Sequence, residues 1–313
     1  MGETKPLPGT LIEAVRRFSD PNVCLQTVAE LRWPDGPECP ECGSKQYSFL
    51  KTRQLWKCKD CKKQYSVKKG SILEDSALSL DKWLVAIWMT VNCKNGISSY
   101  ELARALGITQ KSAWFMLQRV RLAMQTGTFR KLSGEVEADE SFIGGKARNM
   151  HASKRKTRIR GRGPEGKAIV MGMLERKTGK VRTAVIESRR KHHLHAEIRQ
   201  HVEPGSQLYT DELLSYDGLE SDYAHKVINH AEEYVRGAVH TNGMENFWSL
   251  LKRTLGGTYV SVEPFHLFRY LDEQAFRYNN REATDADRFR LAVSGVGGKR
   301  LTYSAVTGEA GSC

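Results

Sequence analysis

Three carboxylates stand on separated stretches of this chain: Asp139 in EADESFIGG, Asp211 in YTDELLSYDGL and Glu245 in HTNGMENFWSLLKR. The last stretch reads as a helix. At about 3.6 residues per turn, Lys252 returns to within roughly 20° of Glu245. Asn242, Ser249 and Arg253 share that polar side, while Met244, Phe247, Trp248, Leu250, Leu251 and Leu255 fill the opposite arc. Alone, this pattern also describes an ordinary amphipathic helix with a solvated charge pair. With Asp139 and Asp211 beside it, the chemistry changes. Three acids brought together by folding disfavour one another's ionisation unless cations neutralise them. Hard divalent ions on oxygen ligands do this, magnesium (or manganese) being the natural choice. Two such ions also clamp the attacking and leaving oxygens of an in-line phosphoryl displacement. Asn242, one turn before Glu245, is a candidate auxiliary ligand to magnesium.

A second set of residues is locally spaced. Cys39, Cys42, Cys58 and Cys61 form a C-x2-C-x15-C-x2-C pattern, the spacing of a structural zinc site. Each short loop offers two thiolates, and four close the tetrahedron, leaving no open position for catalysis. KQYSFLK and QLWKC between the loops read as a hairpin, so the whole reads as a zinc ribbon. Lys45, Lys51, Arg53, Lys57, Lys59, Lys62, Lys63, Lys68 and Lys69 surround it, interleaved with Tyr47, Phe49, Trp56 and Tyr65, a mixture suited to phosphate contact. Cys24, Cys93 and Cys313 read as ordinary residues.

The elements that must position these groups follow from periodicity. Residues 10–33 read as two short helices broken at Asp20-Pro21. SLDKWLVAIWMTVNC is a helix with a Ser cap. ISSYELARALGITQKSAWFMLQRVRLAM reads as helix, Leu-Gly turn, helix, matching a helix-turn-helix whose second helix offers Gln110, Lys111, Ser112 and Arg119 to a major groove. Beyond residue 133 the pattern is strand, strand, strand, helix, strand, a helix or turn from Glu212 to Leu219, strand, helix, helix. Asp139 falls on the first strand and Asp211 at the end of the fourth, with Glu245 on the helix after the fifth. Alternation turns Glu140 away from the face of Asp139. Glu212 and Asp217 lie near the second aspartate without a pattern that selects them. Residues 146–167 are dense in Lys and Arg and read as a mobile loop able to clamp DNA. His192, His193 and His195 read as a helix start with exposed imidazoles.

Composition bounds the rest. The 313 residues are enough for two or three domains, and a formal net charge of +13 favours a polyanionic partner such as nucleic acid. No apolar run is long enough to span a bilayer, and MGETKPLPGT lacks a secretory apolar region. A reducing cytoplasm is therefore expected, where seven cysteines are not a disulfide framework.

CPECG…CKDC, EADESFIGG, YTDELLSYDGL, and HTNGMENFWSLLKR followed by GTY and HLFRYLDEQAFRYNNR together resemble prokaryotic insertion-sequence transposases of the DDE class. More narrowly, they resemble those with an N-terminal zinc ribbon and a ribonuclease-H-like catalytic core. The resemblance implies four segments. Residues 1–75 would hold the N-terminal helices and four-cysteine ribbon, and 76–132 a helix-turn-helix segment. Residues 133–290 would form a ribonuclease-H-like (retroviral-integrase-like) α/β core with a five-stranded mixed sheet, and 291–313 a tail. It implies that Asp139, Asp211 and Glu245 hold two magnesium or manganese ions and that Lys252 touches transposon-end DNA. Its implied partners are terminal inverted repeats, target DNA and a second copy or more of the chain, in a bacterial cytoplasm at the nucleoid. The residue pattern leaves two alternatives open: a DNA-binding regulator without catalysis, and a nuclease that cuts without joining.

Overall fold

The computed structural model describes residues 6–125, 130–144, 166–228 and 240–308. The chain divides into two compact units, residues 1–126 with 280–313, and residues 127–279. The basic stretch 146–167 falls largely outside the described residues, as do residues 229–239 and Cys313. Among the described residues, no helix is long and apolar enough to cross a membrane.

In the first unit, α1 (Leu11–Arg17) opens on a capping box made by Thr10 and Glu13. Asp20 caps α2 (Pro21–Arg32), which carries its proline at the first helical position. The ribbon is a three-stranded antiparallel sheet of β1 (Tyr47–Leu50), β2 (Leu55–Cys58) and β3 (Gln64–Tyr65). It is followed by α3 (Leu80–Asn92), α4 (Ser99–Leu106) and α5 (Gln110–Met124), with Gly107 left-handed at the turn between the last two. Helix, turn and helix are thus present as expected.

Arg119 is a correction. It is buried within the first unit, where its guanidinium donates to the carbonyls of Ile72, Glu74 and Leu301 at 2.8–3.1 Å. Three carbonyl acceptors hold its charge inside, so it is not available to a groove. Lys111 stays exposed, over the ring of Tyr303.

Residues 280–308, read from the sequence as the end of the core and a tail, group with the N-terminal helices. Here α9 (Asp285–Ser294) buries Phe289, Ala292 and Val293, and Phe18 and Phe289 pack with ring centroids 5.5 Å apart. The Ile72 N–H donates to the Val296 carbonyl. A short α10 (Tyr303–Thr307) follows, with Val306 buried.

The second unit is a five-stranded mixed sheet with helices, the α/β core expected. It contains β4 (Glu135–Ile143), β5 (Ala168–Glu175), β6 (Lys180–Ile186), α6 (Lys191–His201), β7 (Gln207–Asp211), β8 (Ala224–Ile228), α7 (Asn242–Thr254) and α8 (Leu267–Asn279). The sheet order is β6-β5-β4-β7-β8, with β4, β5 and β6 antiparallel and β4, β7 and β8 parallel. After Asp211 the chain makes a 3-10 turn at Leu214–Tyr216. One face of the sheet packs Val136, Ala138, Met171, Met173 and Leu208 against Leu194 and Ile198 of α6. The other packs Val170, Leu174 and Val181 against Met244, Phe247, Trp248 and Leu251 of α7 and Leu267 and Leu271 of α8. Burial on both faces explains why β5 reads as an almost unbroken apolar run.

His195 departs from its expected exposure. It follows Leu194 on the sheet-facing side of α6 and is buried, whereas His192 remains exposed.

Candidate active site

Alternation along β4 puts Glu137 and Asp139 on the α7 face, and β7 does the same for Tyr209 and Asp211. The parallel ladder between these strands ends at the pair Glu137–Tyr209. Two residues past that pair come Asp139, midway along β4, and Asp211, the last residue of β7, on the same face and near enough for the Asp211 charge to act on Asp139. Ligand sites of open α/β sheets form at such ends.

Asp139 is held on both oxygens. Trp248 Nε1 donates to Oδ2 at 2.9 Å, and the Glu140 backbone N–H donates to Oδ1 at 2.8 Å. Burial, followed by the charges of Glu140 and Asp211, pushes its carboxyl up to about 7 against these bonds. A carboxylate so disfavoured by burial and by neighbouring acids is one that a hard cation would relieve. The donor set of carboxylate oxygens suits magnesium or manganese.

An unfolded aspartate ionises near 3.8. Between that value and about 7 the folded chain keeps a proton that the unfolded chain has released. Stability in magnesium-free buffer therefore falls as pH rises through this window and levels off above it. Asp139→Asn keeps an acceptor for Trp248 without the charge. It is expected to remove that slope and to raise Tm at pH 7.5 by roughly 5 °C, read by thermal melts across pH.

Helix α7 is tied to β4 at two levels. The Met244 N–H donates to Glu137 Oε2 at 3.0 Å, and the Trp248 bond to Asp139 lies one turn on. Thr241 at the N-cap makes no side-chain cap, so Glu137 from the strand satisfies the helix end and meets the positive pole of its dipole. Glu137 is only 1% exposed and pairs with Arg176, whose Nε lies 2.9 Å away. Arg176 also donates to the His240 carbonyl and covers the ring of Tyr209. Strand alternation alone puts Glu137 on this face, but the clamp depends on Arg176 and the Met244 amide and is not visible in the sequence. Its only advance signal was an acid at a strand position sharing the inward face.

Glycines permit the approach. Gly172 on β5 pairs in register with Asp139. A β-carbon there would lie 2.2 Å from Met244 Cε and 2.7 Å from the Trp248 ring. Gly172→Ala therefore forces α7 outward. The expected cost is about 3 kcal/mol, with loss of the Trp248–Asp139 bond, checked by urea unfolding and Trp fluorescence. At Gly243 a β-carbon would press on Glu137 Oε2, so the helix start is equally constrained.

Glu245 is exposed, one residue after Met244 and three before Trp248, and Asn242 and Lys252 are exposed on the same helix. The structure thus brings Asp139 and Asp211 together and anchors the helix of Glu245 to β4. It does not close the three acids to ligand distance. Among the described residues, the group of three or more His, Cys, Asp or Glu whose ligand atoms gather within 4.8 Å is Cys39, Cys42, Cys58 and Cys61.

In the ribbon, Cys39 and Cys61 sulfurs are 3.6 Å apart and those of Cys42 and Cys58 3.7 Å. Burial raises Cys58, but the backbone N–H groups of Cys61 and Asp60 outweigh it and bring the thiol down to about 6, ready to bind as thiolate. Trp56 and Tyr65 are buried and pack with Trp33 and Phe49. They build the ribbon's core rather than a stacking surface. Lys45, Lys51, Arg53, Lys57, Lys59, Lys62 and Lys63 remain exposed, whereas Lys68 turns inward onto the carbonyls of Ser76 and Leu78.

Comparison with known proteins fits both units. A transposase zinc-ribbon domain matches residues 19–64, and an ISXO2-like transposase domain matches residues 131–279. A transposase-like protein of Haemophilus influenzae is 36% identical over 104 residues, covering 33% of this chain and 84% of that protein. The chain belongs to the ISXO2-like (IS1595) transposase family.

A protein in the transposable element ISH50 of Halobacterium salinarum is 26% identical over 285 residues, covering 86% of this chain and 96% of that one. The transposase domain match spans Asp139, Asp211, Glu245 and Lys252 together, and the ribbon match includes all four zinc-spaced cysteines. A four-cysteine cluster in a transposase zinc ribbon is consistent with structural zinc.

Proposed function

We propose that this transposase recognises the terminal inverted repeats of its element through the zinc ribbon and helix-turn-helix. It then cleaves those ends and joins them to target DNA at a site built on Asp139, Asp211 and Glu245. The observation that carries this reading is the placement of Asp139 and Asp211 on one face of neighbouring parallel strands, each two residues past their last ladder pair, with Asp139 strongly disfavoured as a bare anion by burial and by the charges of Glu140 and Asp211. Asp139, Asp211 and Glu245 would hold two magnesium or manganese ions, with Asn242 at the helix start as an auxiliary ligand. Divalent ions bound there supply charge neutralisation at the transferring phosphoryl group.

The protein's own part is positioning. Trp248 and the Glu140 amide orient the Asp139 carboxylate, and Glu137 with Arg176 fixes the start of the helix that carries Glu245. Lys252, two turns on and exposed, contacts a phosphate of the transposon end. No covalent intermediate with the protein is needed, since geometry and electrostatics perform the catalysis. Two ends must be joined, so the working form on DNA is a dimer or larger assembly.

The test is an end-joining assay. Full-length protein is given magnesium, a labelled duplex carrying the inverted repeats that flank its gene, and a plasmid target. Joined products are expected. Cleavage without joining would assign a nuclease, and binding without chemistry a DNA-binding regulator.

A further inference from the structure

Protein hydrogen bonds run without a break from one candidate metal-binding aspartate to the other. Asp211 Oδ1 accepts the Leu213 N–H at 3.2 Å. The Leu213 carbonyl accepts the Tyr216 N–H at 2.9 Å. The Tyr216 hydroxyl donates to Glu140 Oε2 at 2.6 Å. The Glu140 N–H donates to Asp139 Oδ1 at 2.8 Å. The run leaves the end of β7, passes through the 3-10 turn and returns to β4 on the face opposite the two aspartates.

Its middle members are sealed. Tyr216 is buried among Val136, Ala138, Leu194 and Leu219, and the Glu140 side chain is only 3% exposed. A carboxylate buried this far must be partnered. One Glu140 oxygen takes the phenol at hydrogen-bond distance, and the other forms a longer ion pair with Arg189 Nη1 at 3.6 Å. The aromatic ring has few rotamers and no room to move, so the turn that begins at Asp211 is braced against the residue next to Asp139. Neither Glu140 nor Tyr216 faces the side where DNA and cation would bind, which separates them from the ligands themselves.

We propose that Tyr216 and Glu140 are positioning residues that set the spacing of Asp139 and Asp211 and thereby the affinity of the site for divalent cations. This rests on the catalytic reading above. Removing a partner that orients a metal ligand costs about tenfold or more in metal affinity. A bond serving only the fold would change stability and leave cation affinity alone.

The experiment is a manganese titration of the full chain followed by electron paramagnetic resonance, without DNA, alongside thermal melts. Tyr216→Phe is expected to weaken manganese binding by about tenfold. Glu140→Ala is expected to do the same, and the double variant to be no weaker than either single one, since both break one link. Glu140→Gln keeps an oxygen for the phenol and should stay within about threefold of wild type. Should Tyr216→Phe fail to fold, the Glu140→Ala and Glu140→Gln pair supplies the same comparison.

Asp211→Asn separates the two levels. If it loses manganese while Tyr216→Phe and Glu140→Ala bind like wild type, the bracing role is overturned and the catalytic reading stands. If Asp211→Asn itself binds manganese normally, the catalytic reading falls and the bracing role falls with it.

Discussion

Asp211→Ala is expected to lose about 10^3-fold or more of the magnesium-dependent joining activity while keeping its fold and its binding to the terminal repeats. The magnitude follows from what the residue would do. Transition-state charge stabilisation by one group is commonly worth a factor of 10^2–10^3, and removing a member of a constellation that acts as a unit costs more. The fold should survive because Asp211 is only partly buried at a strand end, and its described bond is to the Leu213 N–H two residues on. Gel analysis of joined products, with circular dichroism and a DNA mobility shift on the same samples, reads all three quantities. Retained joining in Asp211→Ala would remove this residue from the site.

Stripping the ribbon's metal has the second large effect, this time on structure. The ribbon's apolar core is little more than Trp56, Tyr65 and the packed edge of Trp33, far too small to hold three short strands alone. Structural zinc contributes an apparent ~10–16 kcal/mol in comparable small sites. Chelation with 1,10-phenanthroline, or Cys58→Ser, is therefore expected to melt β1–β3 and abolish repeat binding. The five-stranded unit should keep its own unfolding transition. Calorimetry with and without added zinc checks this, and an unchanged ribbon signal after metal loss would contradict it.

What the sequence made legible was local. Four cysteines at fixed spacing declare a metal loop, because both ligands of each pair come from one turn. The apolar arc from Met244 to Leu251 and the alternation around Asp139 named the helix and the strand, since period alone determines which side chains share a face. Asp211 was legible as the last residue of a strand. What sequence could not show depends on partners far along the chain. Arg119 looked like a groove reader because its position on α5 says nothing of carbonyls waiting at Ile72, Glu74 and Leu301. Glu137 looked like one more acid on a strand until Arg176 and the Met244 amide closed on it. Glu140 was set aside for facing away from Asp139. It does face away, and that is how it reaches Tyr216.

The return of residues 280–308 to the N-terminal helices bears on how the protein is made. Arg119, Ile72 and Asn92 find partners at Leu301, Val296 and Asp285, so the first unit lacks part of its interior until residues 280–308 have been translated. The second unit, contiguous in sequence, has no such wait and is free to fold first, reversing the order of the domains along the message. A product ended early by a premature stop codon would carry the ribbon and helix-turn-helix sequences without the segment that completes their core. On the reading proposed above, such fragments would be poor candidates for dominant repressors that occupy the element's ends, because residues 280–308 would be needed to complete the unit that carries the ribbon.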